Sequence, residues 1–501
     1  MLFNSYIFIF LFLPLALTGY YLLNHFNCYQ AGKLFLTGMS LWFYAYFHVS
    51  YLWILLCSIA LNYICHRLLV RKFHIRFTAA AGIVVNIGIL FYFKYFDFFI
   101  ENINSFFRAG LPLTGVLLPL GISFFTFQQI AFLADTAKGT VGRQKLLDYS
   151  LFVTFFPQLI AGPIVSHEEM LPQFQDVSRK RPSAENIYQG LRVFVIGLSK
   201  KVLLADTFGQ AVNWGFQYYT VLDGLNTFVA ALFYTLQLYF DFSGYCDMAR
   251  GIGYLFNIKI PVNFLSPYKS GSILEFWDKW HITLTRFFTR YVYIPLGGNR
   301  RGTFRTCLNV MIVFCISGIW HGAGWTFFVW GMLHGCLSVL TRLWHILKER
   351  LSGYDLFRSI FSKKGIRFVM RRISILATFL FLVGSWVLFR ADTITQAVYM
   401  LKNMLSLKGT HIFGEFTGFF QLPELWYVIK FLGMDTLPYA AYYCMLAFLA
   451  VSLVLTFFCR SLYESEKRHK PGLLRTCCLS VLFVWCVLSL SGVSTFLYFN
   501  F

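Results

Sequence analysis

The chain has 501 residues, with 43 Lys and Arg against 22 Asp and Glu for a formal charge of +21; 57% of it is hydrophobic, 20% aromatic and 13% charged. A water-soluble chain carries about 25% charged residues, so this one lacks the solvated groups to cover a soluble surface, and lipid is the expected solvent for most of it. A cytosolic enzyme and a disordered tail are thereby excluded, and nucleic acid is set aside as a partner because the basic residues lie between apolar spans, where the positive-inside rule accounts for them.

The first apolar stretch, Ser5 to Leu23, has no basic segment before it and no small-residue cleavage site after it, and reads as a retained membrane helix. Further spans are expected at 34 to 66 (two short passes), 77 to 96, 115 to 136, 188 to 207, 223 to 245, 306 to 345 (two passes or a re-entrant pair), 373 to 390, 438 to 459 and 476 to 497. That gives an all-α polytopic protein with about a dozen transmembrane or re-entrant helices, each near the ~20 residues that cross a bilayer. The basic segments around Arg67 to Arg76, Lys138 to Lys145, Arg179 to Arg181, Arg300 to Arg305, Lys348 to Arg372 and Arg460 to Arg475 are expected to face the cytoplasm. No Lys or Arg occurs from Val202 to Ala249, so the turn at 209 to 226 is expected outside, as is the end of the last span. The twelve cysteines form no CxxC pair and show no metal-ligand spacing, and read as small core residues.

Residues 276 to 294 mix Trp277, Trp280, Phe287, Phe288 and Tyr291 with Asp278, Lys279, Arg286 and Arg290, which suggests an amphipathic or re-entrant segment. In the 306 to 345 run, Gly318, Gly322 and Gly324 interrupt the apolar pattern around Trp320-His321. Counted from Arg305, His321 lies some ~24 Å along a helix, at a depth where irregular backbone survives only when buried in protein or lining a wet cavity.

Ionisable residues inside a membrane protein are costly, so each is a candidate site. Two Trp-His dipeptides, Trp280-His281 and Trp320-His321, are the distinctive feature. A buried neutral histidine bonded to a carbonyl is the ordinary explanation for an isolated case; for His321 the flanking glycines and the depth favour a general base acting on a hydroxyl. His281 is the second candidate, alternatively an interfacial residue beside Trp280. Asp241, between Phe240 and Phe242, is placed to hold Arg250 or a histidine, or is a helix-end carboxylate satisfied by a neighbouring helix. Arg286, Arg290, Arg300 and Arg301 suit a phosphorylated donor such as a coenzyme A thioester, although a basic loop explains them too. The Gly297-Gly298 turn beside Asn299 lacks the spacing of a phosphate loop.

The runs FWDKWHITLTRFFTRYVYIPLGGNRRG and SGIWHGAGWTFFVWGMLHG resemble the membrane-bound O-acyltransferase family, in its alginate and peptidoglycan O-acetyltransferase branch. PLGISFFTFQQIAFLAD (119 to 135), FVTFFPQLIAGPI (152 to 164), YTLQLYFDFSGYCDMARGIG (234 to 253) and SWVLFRADTITQAVYMLKNM (385 to 404) extend the resemblance over nearly the whole chain. It implies one membrane domain over 1 to 501, with core motifs at 119 to 345, C-terminal helices at 373 to 501 and a central catalytic tunnel. It implies transfer of an acyl group from a cytoplasmic thioester to a hydroxyl, with His321 as the essential histidine and His281 as the second. Trp277, Trp280, Trp320, Arg286, Asp241 and Asn299 become candidates for donor binding or the tunnel wall. The chain departs from its relatives at Thr289-Arg290, where they usually show Arg-Asp. The aromatic end, Phe496 to Phe501, resembles a motif whose tyrosine, here Tyr498, is proposed to carry the acyl group outward; an interfacial aromatic belt is the alternative. The implied donor is acetyl-CoA, used as a substrate, with no bound cofactor or metal. The implied partners are an extracytoplasmic acetyltransferase of the Ser-His-Asp (SGNH) type and a polysaccharide acceptor, and the implied location is a bacterial inner membrane. D-alanyl transfer of the teichoic-acid type, a transporter and a structural scaffold are the competing readings.

Overall fold

The computed structural model describes residues 1–351, 363–406, 408–421, 423–466, 472–492 and 496–497. Tyr498 lies outside them. Among the described residues the secondary structure is helical, with one isolated antiparallel bridge between Phe264 and Trp280.

The order begins with α1 (Phe8–His25), α2 (Tyr29–Ala45), α3 (Val49–Val70), α4 (Ile75–Lys94), α5 (Phe96–Phe107) and α6 (Ile122–Ala137). Short helices α7 (Leu146–Thr154), α8 (Phe156–Leu159) and α9 (His167–Gln175) lead to α10 (Ala184–Ser199), a π turn, α11 (Asp206–Gln217) and α12 (Gly224–Leu255). Then come α13 (Ile273–Trp277), α14 (Ile282–Phe288), α15 (Gly302–His321), α16 (Trp325–Leu351) and α17 (Lys364–Arg390). The C-terminal layer holds α18 (Ile394–Ser406), α19 (Gly414–Gly418), α20 (Pro423–Phe431), α21 (Ala440–Phe457), α22 (Leu462–Glu466) and α23 (Leu473–Leu488).

Each span expected from the sequence coincides with helix over most of its described residues, although that at 115 to 136 is helical only from Ile122, and the helices are of two physical kinds. Seven of them, α1, α3, α4, α15, α16, α17 and α21, are long and apolar enough to cross a membrane unaided. Helices α2, α6, α10 and α23 are 16 or 17 residues long. Helix α12 has 32 residues but carries Gln237, Asp241, Asp247 and Arg250. Almost every α12 residue is buried, because a helix that meets protein on all sides forms the centre of the molecule.

Glycine lets α10 reach α12. A Cβ at Gly197 would stand 2.7 Å from the Gly244 carbonyl oxygen, and one at Gly190 would stand 2.8 Å from that of Gly251. Two glycines seven residues apart on each helix therefore bring the backbones into direct contact, the small-residue packing that replaces the hydrophobic drive lost in lipid. The same device folds α15 against α16, where a Cβ at Gly318 would lie 2.5 Å from the Phe327 carbonyl oxygen. The glycine break expected at Trp320-His321 is present: α15 ends at His321, Gly322 is extended, and α16 starts at Trp325. A Cβ at Gly322 would overlap the Phe327 ring at 2.2 Å. Only glycine fits under that ring.

Candidate active site

His281 sits on an irregular segment. Residues 263 to 265 run antiparallel to 279 to 282, with Leu265 N–H donating to Lys279 O (3.0 Å) and Ile282 N–H to Asn263 O (3.1 Å). His281 itself is left-handed, at φ 46°, a conformation a non-glycine residue holds only when its surroundings impose it. Its ring is fully buried, and its Nδ1 lies 3.3 Å from Asn263 Oδ1. That oxygen also accepts from the backbone N–H (3.1 Å) and hydroxyl (3.0 Å) of Thr283. Since the amide oxygen is the acceptor for a backbone donor, His281 Nδ1 carries the proton, and Nε2 is left with its lone pair. Asn263 was not singled out in the sequence. Its only local signal is an asparagine between Val262 and Phe264 in the loop that follows α12.

His321 is the last residue of α15 and is also buried. Its ring is enclosed by Trp320 (4.9 Å between centroids), Phe389 (5.1 Å) and Trp330 (5.2 Å). Trp320 also packs against His281 at 6.2 Å, so a single indole touches both imidazoles. The other face of Trp320 stacks on Phe127 at 5.3 Å. Phe242 closes the His281 side at 4.8 Å.

The end of α15 is tied down by α4. Tyr95 Oη donates to the Ile319 carbonyl (3.0 Å), while Lys94 Nζ donates to those of Trp320 (2.6 Å) and His321 (3.3 Å). Three successive carbonyls that a helix end leaves bare are thus satisfied, two of them by a cation at the negative pole of the helix. Lys94 escaped the sequence reading because it sits within the last turn of an apolar span. His334, on α16, hydrogen-bonds Ser385 Oγ through Nε2 at 3.1 Å and packs on Trp330 at 4.7 Å. It extends the aromatic layer away from the two Trp-His histidines.

The remaining candidates divide. Trp277 and Trp280 belong to that layer, Trp277 against Trp330 (5.8 Å) and His334 (5.3 Å), and Trp280 against Trp386 (5.2 Å) and Phe264 (5.0 Å). Arg286 is instead held in a two-pronged pair by Glu169 (2.7 and 2.9 Å). Arg290, the residue at the departure from the family pattern, reaches Glu168 (2.9 Å) and Asp135 (3.1 Å). Its hydrogen bond keeps the Glu168 carboxyl below the ordinary glutamate range. Asp135, His167 and Glu168 bring ligand atoms within 4.8 Å of one another, but Arg290 and the Tyr291 hydroxyl (2.6 Å) already engage the Asp135 carboxylate. Asn299 faces a separate hollow of about 430 Å³ shared with Thr303, Arg342, His345 and Glu349.

Asp241 corrects its expected partners. It lies in the middle of α12, not near a helix end, and pairs with Lys201 at 2.6 Å, which also holds Asp206 at 2.7 Å. Arg250 goes to Glu466 (2.8 Å) and Asp247 (3.4 Å). The second Asp241 oxygen accepts from the Leu497 N–H at 3.0 Å. Phe496 beside it stacks on Tyr245 at 4.5 Å and approaches Phe242 at 5.8 Å. The carboxylate therefore anchors the C-terminal segment one aromatic ring away from His281.

Residues 135–385, which contain both histidines and, of their aromatic neighbours, Phe242, Trp320 and Trp330, match the sequence model of the membrane-bound O-acyltransferase family. The chain belongs to that family. The acyltransferase is 39% identical to a peptidoglycan O-acetyltransferase of Helicobacter pylori over all of this chain and 98% of the relative. It is 37% identical to a probable alginate O-acetylase of Pseudomonas putida over 81% of this chain and 80% of the relative. A teichoic acid D-alanyltransferase of Bacillus subtilis is 29% identical over 44% of this chain and 57% of the relative. As an enzyme of this family the protein is an O-acyltransferase, which decides against the transporter and scaffold readings.

Proposed function

We propose that the enzyme is one integral membrane domain of a bacterial inner membrane that moves acetyl groups from cytoplasmic acetyl-CoA toward hydroxyls of a cell-envelope polysaccharide of the peptidoglycan or alginate kind. The observation that carries this reading is the pair of buried imidazoles sharing the Trp320 indole at a glycine-made helix break. The acetyl and polysaccharide assignment is supported by the O-acetyltransferase relatives, which align over four fifths of the chain or more, whereas the D-alanyltransferase aligns over less than half.

In this mechanism His321 takes the proton of an acceptor hydroxyl as its oxygen attacks the thioester carbonyl. The carbon–oxygen bond forms, the carbon–sulfur bond breaks, and the imidazolium returns the proton to the leaving thiolate to give free coenzyme A. His281, held through Nδ1 by Asn263, positions the thioester or, in its protonated form, stabilises the negative charge that develops on the thioester oxygen. The aromatic walls exclude water, which would otherwise intercept the thioester. Tyr498 is the proposed first acceptor, from which an extracytoplasmic SGNH-type partner collects the acetyl group. The anchoring of Leu497 by Asp241 supports placing the end of the chain near the histidines.

The test is turnover of radiolabelled acetyl-CoA by purified protein in lipid nanodiscs. Label should leave coenzyme A and remain on the unmodified protein, and should do neither with His321→Ala. Full transfer by His321→Ala overturns the base assignment, label held by Tyr498→Phe overturns the relay, and consumption of a D-alanyl thioester in place of acetyl-CoA overturns the donor.

A further inference from the structure

Behind the layer that carries His281 lies a second, larger space. A cavity of about 760 Å³ is enclosed by α10, α12 and the C-terminal helices, within the ~300–1,000 Å³ of ordinary ligand sites. Its inner wall is Tyr239, Phe240 and Phe264, and its outer wall includes Phe448, Leu455 and Leu482. The outer wall is thin: Val451 and Leu455 line the cavity and are also 55% and 40% exposed on the surface of the bundle. Toward the histidines the cavity is shut, because Phe264 packs on Phe242 (4.9 Å) and Phe242 on His281 (4.8 Å), two rings in series.

One end of this apolar chamber is basic. It carries Arg192, Lys200 and Arg460 against the single carboxylate of Asp247. Asp247 is neutralised by Lys200 at 2.7 Å and by Arg250 at 3.4 Å. Arg192 has no such counterpart. It is 6% exposed, and its guanidinium donates to Gln189 (3.2 Å) and Ser465 (3.0 Å), both neutral. Neighbouring Glu466 exerts an electrostatic pull on Arg192, but its two oxygens are hydrogen-bonded by Arg250 at 2.8 Å, and among the described residues no ion pair is formed by Arg192 itself. A buried cation whose direct hydrogen bonds go only to neutral groups, and whose neighbouring carboxylate is shared with another arginine, is costly, and an arriving anion relieves that cost. The basic loops on either side, 179 to 181 and 460 to 475, put this end toward the cytoplasm by the positive-inside rule.

We propose that the cavity binds an anionic phospholipid of the cytoplasmic leaflet, its phosphate on Arg192 and Arg460 and an acyl chain along Phe448, Leu455 and Leu482. Basic pockets between membrane helices on that side are suited to such headgroups. A thioester donor also carries phosphates, but the cavity is thin-walled toward lipid and closed toward His281, which favours the lipid.

The experiment uses the full chain, delipidated in detergent and examined by native mass spectrometry while titrated separately with phosphatidylglycerol, phosphatidylcholine and acetyl-CoA. Its readout is bound lipid, so it stands whether or not acetyl transfer is observed. Phosphatidylglycerol should be retained about tenfold more tightly than phosphatidylcholine, the worth of one charge-assisted bond. Arg192→Gln should bring the two lipids to parity, and Arg192→Lys should keep part of the preference. Val451→Trp, on a partly exposed position, should fill the outer wall and reduce retention of both lipids without touching the buried charges. Equal retention by the unmodified chain and both Arg192→Gln and Val451→Trp overturns the proposal. Displacement of phosphatidylglycerol mole for mole by acetyl-CoA also overturns it, by giving the cavity to the donor.

Discussion

Two regions of this acyltransferase look alike in the sequence and are opposites in the structure. The histidine chamber and the arginine rim both place ionisable side chains among tryptophans and phenylalanines. Around the paired histidines, His281 and His321 are walled by aromatic faces, with Lys94 on the carbonyl of His321, and the tautomer of His281 is set by an amide oxygen. On the rim, Arg286 and Arg290 are closed onto Glu169, Glu168 and Asp135 from other helices. A charged group closed onto opposite charges from other helices braces the fold, whereas an imidazole walled by aromatic rings is held by shape and burial. Residue type alone does not separate these cases, because the partner that decides lies far away in the chain.

The contrast is broken most directly at His321. His321→Ala should lower acetyl transfer by about 10²–10⁴-fold, the range for a lost general base, with the folded protein retained on size exclusion. Next comes Asn263→Leu, which removes the acceptor for His281 Nδ1–H and should cost about 10–100-fold in kcat, as lost orienting partners of histidine do. Asn263→Asp, which still accepts from His281 and Thr283, should recover most of that loss; failure of the rescue would mean that Asn263 serves packing alone.

Gly322→Ala should destabilise the fold by about 1–3 kcal/mol through overlap with the Phe327 ring, read as a lower melting temperature in detergent. Pairing it with Phe327→Ala should restore part of the loss. Lys94→Met uncaps the end of α15, and should cost about 1.5–3 kcal/mol for hydrogen bonds from a charged donor, with a fall in kcat that Lys94→Arg partly repairs. The smallest effect is expected on the rim. Arg286→Gln breaks an ion pair whose partners are 46% and 29% exposed, and should change stability by less than about 1 kcal/mol and acetyl-CoA turnover by less than about twofold. A large rise in KM for acetyl-CoA in that variant would return Arg286 to the donor site and remove the contrast.

The chamber was legible where the signal is local. Gly322 and Gly324 after Trp320-His321 announce a helix break, and a break within an apolar span announces a cavity or a protein-lined site. Trp277 and Trp280 came from the amphipathic pattern of 276 to 294 and from the family resemblance, and the structure places both in the aromatic layer. What escaped is whatever depends on pairing across the fold. Asn263 joins His281 only because 263 to 265 run antiparallel to 279 to 282, and Lys94 matters only because α4 ends beside α15. For Asp241 the sequence left Arg250, a histidine or a neighbouring helix open; Arg250 is nine residues along the same helix, whereas side chains that face one another on a helix are three or four residues apart, and the partner found, Lys201, comes from the neighbouring π turn. The positions of the apolar helices were legible and their nature was not: of about a dozen expected segments, seven are long and apolar enough to cross a membrane. Helix α12 reads as one more apolar crossing until its charges are seen to be matched from every side.

The paired glycines of α10 and α12 constrain how such an enzyme can move. Where two backbones touch with no side chain between them, there are no rotamers to exchange and no slack to absorb a shift, so the two helices behave as a single beam. Gates for an arriving donor and a departing acetyl group must then be hinged elsewhere, on helices that meet through long, adaptable side chains. The same pair of helices, with the π turn that follows the first, sets the separation of Asp241 and Lys201, so the carboxylate that receives the Leu497 N–H is mounted on the most tightly joined backbones described above.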